Sequence, residues 1–313
     1  MMIRARVTAA TLLLIIATSD GRDLLARQAG DGREDATRAT TQMALRVALI
    51  GFVDGSLSTK DSRGLEDALE SALKRDARVV LIERSQLRPA LAGLGYDGSI
   101  NMSRDEARAL GAAIGCDFFI TGKKDLSARS EAKGESHEEA IVGVMIVDGR
   151  TGALAAFDFL SEKAPAKETA LAALTKAIDA RAASYVDSMN RSRASREALD
   201  RPDARRDERV EDARDLESAL GAGFKPPEFL NRAKPEYTES AERADVNATV
   251  EAAAVFRASG EVGKVEIIRW AGFGLDESAE RAIRSLKFKP ATRDGQPISV
   301  RATVRYNFRR TSR

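Results

Sequence analysis

The sequence predicts a two-domain α+β protein. An N-terminal α/β domain with a mixed sheet is expected over residues 44–189, and a small C-terminal domain of order αββαβ over residues 224–313. Three observations predict this division. Apolar strands alternate with amphipathic helices in the first region. A highly charged run at residues 190–223 then separates it from a region with a helix, a hairpin, a second helix and a last strand.

The composition limits the classes of function. The chain has 313 residues, and its 50 Lys and Arg residues nearly balance its 48 Asp and Glu residues, which gives a net charge of +2. Nucleic-acid-binding proteins carry a clear basic excess, so we expect no nucleic-acid partner. One Cys and one His exclude an internal disulfide and a His/Cys metal cluster within one chain. We therefore expect no metal, no cofactor and no small-molecule substrate.

The N-terminus has the pattern of a signal peptide over residues 1–19. Two arginines precede an uncharged, mostly apolar run at residues 7–18, and small residues follow where a signal peptidase cleaves. This run is shorter than the roughly 20 apolar residues that cross a bilayer. We expect export to the periplasm with cleavage, and an uncleaved inner-membrane anchor is the alternative. Residues 20–43 are polar and contain several Gly residues, as a flexible spacer does.

The first domain alternates strands with helices and then forms a hairpin, which indicates a mixed sheet. The predicted strands are residues 45–52, 78–83, 117–122, 140–148 and 153–160. The predicted helices are residues 62–74, 85–92, a helix that begins at residue 103, and residues 166–189. Ser103 and Glu106 have the spacing of a capping box, which predicts the start of the third helix.

The order of these elements resembles the TolB amino-terminal, CsgG-like superfamily, which has an anticodon-binding-like mixed-sheet fold. The residues that match its short motifs are Phe52, Glu83, Arg84, Leu110, Gly111, Asp117, Thr121 and Gly122. The resemblance implies a protein that assembles or regulates envelope machinery without catalysis. The lipid-anchoring Cys of the curli pore family is missing, and no hairpin suited to a transmembrane barrel is visible, so pore formation is not expected.

The linker is rich in charges of both signs. Residues 190–218 contain eight basic and nine acidic residues and few apolar ones. Such a stretch buries too little apolar surface to fold alone, so we expect either an expanded linker or a solvated extension of the preceding helix. Because the charges are mixed, this stretch is not expected to bind nucleic acid.

The last ninety residues predict the αββαβ order. A short helix at residues 238–243 is followed by strands at 246–257 and 263–270, a helix at 275–286 and a final strand after a turn. The region resembles the TonB carboxy-terminal domain family over residues 224–310. The matching motifs are KPEY, GLDESAERAIRSLKFKPATRDGQP and a last strand that ends in an aromatic residue. WAGFG stands where the family has a Ser-Ser-Gly turn.

The resemblance implies that the last strand pairs with an extended peptide of an outer-membrane receptor or another envelope protein. Alternation along this strand places apolar residues on one face and polar residues on the other. The predicted partner-binding residues are Gln296, Pro297, Arg301, Thr303, Arg305, Asn307 and Arg309. The arginines favour an acidic partner segment. The alternative is that they only keep an exposed sheet soluble and discourage edge aggregation.

The sequence gives little support to the hypothesis that this protein is an enzyme. Two Ser-x-x-Lys matches, at residues 71–74 and 130–133, lack the other motifs of penicillin-recognising enzymes. We expect a periplasmic binding protein that is not an enzyme. A role in TonB-dependent transport is expected only if the N-terminus stays in the membrane as an anchor, because energy coupling needs a membrane-spanning N-terminus and a long linker. The alternative is a self-associating scaffold or envelope-assembly factor, a homo-oligomer that acts through the CsgG-like domain.

Overall fold

The computed structural model describes residues 44–55, 59–130, 136–199, 210–212 and 223–310. The predicted signal peptide, the spacer at residues 20–43 and most of the linker lie outside the described residues. Residues 44–313 belong to one compact unit, so both predicted domains fall within it. No described helix combines the length and the apolar character that a bilayer crossing requires.

The N-terminal sheet has five strands. They are β1 (Leu45–Asp54), β2 (Val79–Leu81), β3 (Phe118–Ser130), β4 (Ser136–Asp148) and β5 (Leu154–Ala164). Their spatial order is β2-β1-β3-β4-β5. β1 runs parallel to β2 and β3, whereas β3 with β4 and β4 with β5 are antiparallel. The predicted mixed sheet is therefore confirmed.

Four helices accompany this sheet: α1 (Thr59–Arg75), α2 (Arg84–Gly93), α3 (Arg104–Ile114) and α4 (Lys167–Leu199). α1 and α4 cover one face, where Leu69 and Ile178 are completely buried. α2 and α3 lie on the opposite face. The capping box is confirmed, because the Ser103 side chain accepts the Glu106 N–H and the Glu106 carboxylate accepts the Ser103 N–H.

Two elements extend beyond the residues over which their hydrophobic pattern runs. β3 continues beyond residue 122, because Lys124 lies in the sheet interior with its Nζ 2.8 Å from Glu66 Oε1. α4 continues past Met189 to Leu199, which agrees with the expected alternative that the start of the linker extends this helix. There Arg196 forms an ion pair with the buried carboxylate of Asp148. In both places an ion pair offsets the cost of burying a charge. Such pairs form between residues distant in sequence, so the hydrophobic periodicity of one segment cannot predict them.

Among its described residues, the C-terminal region adds nine strands or short extended segments and two helices. They are β6 (Glu211–Asp212), β7 (Phe224–Lys225), β8 (Glu228–Phe229), α5 (Glu239–Arg243), β9 (Ala248–Phe256), β10 (Val262–Arg269), α6 (Leu275–Arg284), β11 (Phe288–Lys289), β12 (Ala291–Arg293), β13 (Gln296–Ile298) and β14 (Val300–Phe308). The main sheet has the order β10-β9-β14-β6. The predicted αββαβ core is α5, β9, β10, α6 and β14. The separate two-residue and three-residue strands were not predicted.

The C-terminal region packs on the sheet face that carries α2 and α3. One hydrophobic cluster joins Phe119 and Met145 of the N-terminal sheet to Trp270, Phe273 and Phe308 of the C-terminal region. Burial of this apolar surface favours a fixed arrangement of the two regions over a flexible one.

Residues 270–274 (WAGFG), which we call the docking turn, make the central contacts between the two regions. The Phe273 ring is buried, and its centroid lies 4.9 Å from that of Phe157 and 6.1 Å from that of Phe159 in β5. The Trp270 indole N–H donates to the Gly152 carbonyl oxygen (3.1 Å). The large side chains of Trp270 and Phe273 therefore hold the C-terminal region against the N-terminal sheet.

Polar contacts fix the same interface. The Asn101 side chain donates to the carbonyl oxygens of Thr249 (2.9 Å) and Trp270 (2.7 Å), and it accepts the Thr249 N–H (3.0 Å). Arg243 forms an ion pair with Glu139, which is buried in β4. Because directional bonds accompany the apolar contact, the orientation of the C-terminal sheet on the N-terminal sheet is specified.

Candidate functional site

β14 presents alternating faces, as the sequence predicts. Val300 and Phe308 are buried against the core, whereas the odd-numbered residues between them are exposed. β14 pairs antiparallel with β9 along its whole length, with Thr303 opposite Ala253. Five of the predicted partner-binding residues therefore share one exposed row, either in β14 or directly after it. They are Arg301, Thr303, Arg305, Asn307 and Arg309.

The backbone groups of β14 alternate in direction as well. The Glu211 N–H donates to the Ser299 carbonyl oxygen (3.1 Å), so the backbone groups of Ser299 point away from β9. Direction alternates from one residue to the next along a strand that pairs on both sides. Even-numbered residues of β14 thus bond to β9, and odd-numbered residues point to the other side, which we call the outer edge. The residues whose N–H and C=O groups face the outer edge are Arg301, Thr303, Arg305 and Asn307.

The outer edge is partly covered. The sequence predicts β14 as the last strand of its sheet, but β6 lies outside it, with Val300 opposite Glu211 and Arg301 opposite Asp212. Within the described part of the chain, no strand pairs with the outer edge beyond Arg301. The described residues therefore leave the outer edge open only beyond Arg301. The sequence around β6 is highly charged and therefore did not predict a strand at Glu211 and Asp212.

The exposed row carries a net positive charge. Arg305 pairs with Glu251 of β9 at 2.6 Å, and the Thr249 hydroxyl donates to the Asn307 side-chain oxygen at 2.8 Å. Among the described residues, Arg301 and Arg309 form no ion pair. Two of the three arginines therefore remain available to a carboxylate on a segment placed along the outer edge.

Gln296 and Pro297 lie apart from this row. They belong to β13, which forms an exposed hairpin with β12 through the turn at Asp294 and Gly295. β12 in turn pairs with β7 in a separate three-stranded sheet. These two residues precede β14 in the chain, as predicted, but they are not on its outer edge.

The carboxylate of Asp276 holds the backbone of the docking turn by hydrogen bonds. Its carboxylate oxygens accept the backbone N–H groups of Ala271 (2.9 Å) and Gly272 (2.8 Å), and the side chain is 7% exposed. Burial is the largest influence and raises the pKa of this carboxyl to about 7, although both hydrogen bonds favour the charged form. The sequence motif contained Asp276 but gave no sign of this role.

The stability of the fold is expected to depend on the protonation of Asp276. The unfolded chain releases this proton near pH 4, whereas the native state keeps it up to about pH 7. The native state thus binds more protons than the unfolded chain between these pH values. The stabilisation that protonation of Asp276 gives the fold is therefore lost as the pH rises through this range. Its slope is at most about 1.4 kcal/mol per pH unit.

Urea unfolding of the wild type and of Asp276→Asn across this pH range measures the effect. The stability of the wild type relative to the variant is expected to fall as the pH rises to about 7 and then to level off. Parallel pH profiles for the two proteins would contradict the assigned role of this carboxyl.

The thiol and the imidazole do not form a reactive pair. Cys116 is buried beneath α3, and burial raises the pKa of its thiol to about 12. His137 lies within β4, opposite Arg129 of β3. The described residues contain no group of three His, Cys, Asp or Glu side chains suited to a metal ion.

Part of the C-terminal region matches the model of a known protein family. Residues 233–309 match the family model for the C-terminal region of the Gram-negative bacterial TonB protein. This match spans β9, β10, α6 and β14. No curated protein matches the chain.

Several solved structures are similar in part. The hypothetical protein CT253 from Chlamydia trachomatis is 14% identical, with 46% of this chain and 98% of that chain covered and a TM-score of 0.35. Lipoprotein GNA1162 from Neisseria meningitidis is 14% identical, with 45% and 99% covered and a TM-score of 0.34. The TonB C-terminal domain of Pseudomonas aeruginosa is 17% identical, with 29% and 91% covered and a TM-score of 0.25. Similarity at this level does not transfer a function.

Proposed function

We propose that this chain is a periplasmic TonB-like protein that binds an extended segment of an outer-membrane or envelope protein by strand addition to β14. The observation that carries this proposal is the outer edge. There the backbone groups of Thr303, Arg305 and Asn307 face away from β9, and no described strand pairs with them. A peptide laid along such an edge gains a ladder of hydrogen bonds. The family match over residues 233–309 supports the same role.

The exposed row indicates the chemistry of the partner. Arg301 and Arg309 flank the outer edge and favour a segment with acidic side chains. Arg305 contributes less to this preference, because Glu251 already neutralises it. An acidic partner would associate faster at low ionic strength, whereas a row that serves only for solubility would show no such preference.

The packing of the two regions supports an adaptor in which the C-terminal domain has a fixed position, rather than a binding domain that moves freely on a flexible linker. The docking turn fixes β14 relative to the N-terminal sheet, so a partner bound at the outer edge has a defined position on the N-terminal region. We propose that this region is the TolB/CsgG-like domain of the protein and that it contacts envelope machinery.

A second candidate is a self-associating scaffold that acts through the N-terminal region. β5 favours it, because this strand of 11 residues is the last of its sheet and no described strand pairs with its outer side. Such a scaffold does not need the outer edge of β14. A variant blocked only at that edge therefore separates the two functions.

Thr303→Pro is expected to lose partner capture while the fold persists. Proline removes the N–H that faces the outer edge, but Thr303 does not donate to β9, so the existing ladder stays intact. We expect capture from an envelope extract to fall at least about tenfold, since a ladder bond is lost and the proline ring obstructs the partner strand. Thr303→Ala keeps the N–H and serves as the control.

The measurement is a pull-down with the wild type and both variants, each first shown to unfold at a similar temperature. Equal capture by the wild type and by folded Thr303→Pro would exclude strand addition at this edge and would favour the scaffold.

A further inference from the structure

The outer edge of β14 already holds a segment of the same chain. β6 runs parallel to β14, with Glu211 opposite Val300. The Glu211 N–H donates to the Ser299 carbonyl oxygen at 3.1 Å. The Glu211 carboxylate binds both ends of the Arg293 guanidinium, with Oε2 2.6 Å from Nη2 and Oε1 3.2 Å from Nη1. A backbone ladder with a bidentate ion pair is also how an added strand from another protein is held.

We infer that β6 is an internal competitor for the outer edge of β14, and that a partner segment displaces it to bind along the whole strand. The inference rests on the proposed function. It also indicates the partner's chemistry, namely an extended segment with a carboxylate at the position of Glu211. β6 then regulates access to the outer edge of β14.

The connections of β6 keep it close to the outer edge. Upstream it is joined to α4, which ends at Leu199, and downstream to β7, which begins at Phe224. A segment tied at both ends has a high effective concentration at its site, so a weak contact is occupied much of the time. Weak ligands that lack such a tether are then excluded.

The contact is weak enough to be displaced. Two described residues, Glu211 and Asp212, pair with β14. The Arg293 side chain is 40% exposed, and ion pairs at such exposure contribute little. A partner strand that also covers Thr303, Arg305 and Asn307 forms more backbone hydrogen bonds than β6 does. Longer partner segments therefore replace β6, whereas short acidic peptides compete with it poorly.

Two substitutions release β6 in different ways. Glu211→Pro removes the N–H that donates to Ser299, and Glu211→Lys places a positive charge against Arg293. Glu228→Lys is the matched control, because Glu228 lies in the two-residue strand β8 and pairs with Lys289 at 2.9 Å in a different sheet. It reverses the same charge at a comparable ion pair without touching β14.

The experiment has two readouts on the full chain. Amide hydrogen exchange at Arg301, whose N–H the parallel register directs to the Glu211 carbonyl, reports β6 pairing without any partner. Capture from the same envelope extract reports partner binding. We expect both Glu211 variants to exchange faster at Arg301 and to capture about three- to tenfold more partner than the wild type and Glu228→Lys.

The outcomes separate the two proposals. Faster exchange at Arg301 without increased capture would show that β6 pairs but does not compete, and would overturn the inference alone. Wild-type exchange at Arg301 as fast as at Thr303 would overturn it as well, because β6 would not cover the edge. Failure of the proposed function is read from Thr303→Pro, which then captures as much partner as the wild type.

Discussion

Phe273→Ala is expected to lower the free energy of unfolding by about 3–5 kcal/mol. The Phe273 ring is buried between the two regions and contacts Phe157 and Phe159. It lies directly over Gly143, where a Cβ atom would stand 2.5 Å from the ring. Truncation removes the contacts of the docking turn with both β4 and β5 of the N-terminal sheet, and Gly143 has no side chain to fill the cavity.

Chemical denaturation of the wild type and the variant measures this loss. Phe229→Ala is the control, because Phe229 is also an aromatic residue of the C-terminal region but is 47% exposed. We expect a clearly smaller effect from the control, since less of its surface is removed from water. A loss at Phe273 no greater than that at Phe229 would show that the docking turn does not join the two regions.

Arg243→Leu is expected to cost about 3–5 kcal/mol, because it removes a cation from a buried carboxylate. Arg243 contacts Glu139 and Ser161, and its guanidinium lies 5.2 Å from the centroid of the Phe159 ring. The Glu139 side chain is only 1% exposed, so solvent cannot replace the lost cation. The ion pair links α5 of the C-terminal region to β4 of the N-terminal sheet.

A double variant tests the cause. Arg243→Leu with Glu139→Leu replaces the pair with apolar side chains, which is often nearly neutral for stability. We therefore expect the double variant to recover most of the lost stability in denaturant unfolding. If the two single losses add without recovery, the cost comes from packing and not from the buried charge.

Local sequence patterns were sufficient for much of the fold. The capping box at Ser103 and Glu106 places the start of α3, because its two hydrogen bonds depend only on residues within one turn. The alternation in β14 places Arg301, Thr303 and their odd-numbered neighbours on one exposed row, because side chains alternate strictly along a strand. The mixed order of the N-terminal sheet follows from alternating strands and helices that end in a hairpin.

The remaining features depend on contacts between distant residues. β6 exists because Glu211 meets Arg293 and the Ser299 backbone, and its own two residues have no strand propensity that would reveal it. Lys124 is buried only because Glu66 lies beside it. The docking turn is a short Gly-rich segment in sequence, and its function depends on the sheet face against which Trp270 and Phe273 pack.

The central claim is that a partner strand adds to the outer edge of β14. Amide hydrogen exchange of β14, with and without the captured envelope partner, tests it most directly. We expect Thr303, Arg305 and Asn307 to become protected on binding, while Ala302 and Val304, which already bond to β9, do not change. A bound partner that leaves exchange at those three odd-numbered residues unaltered would contradict strand addition.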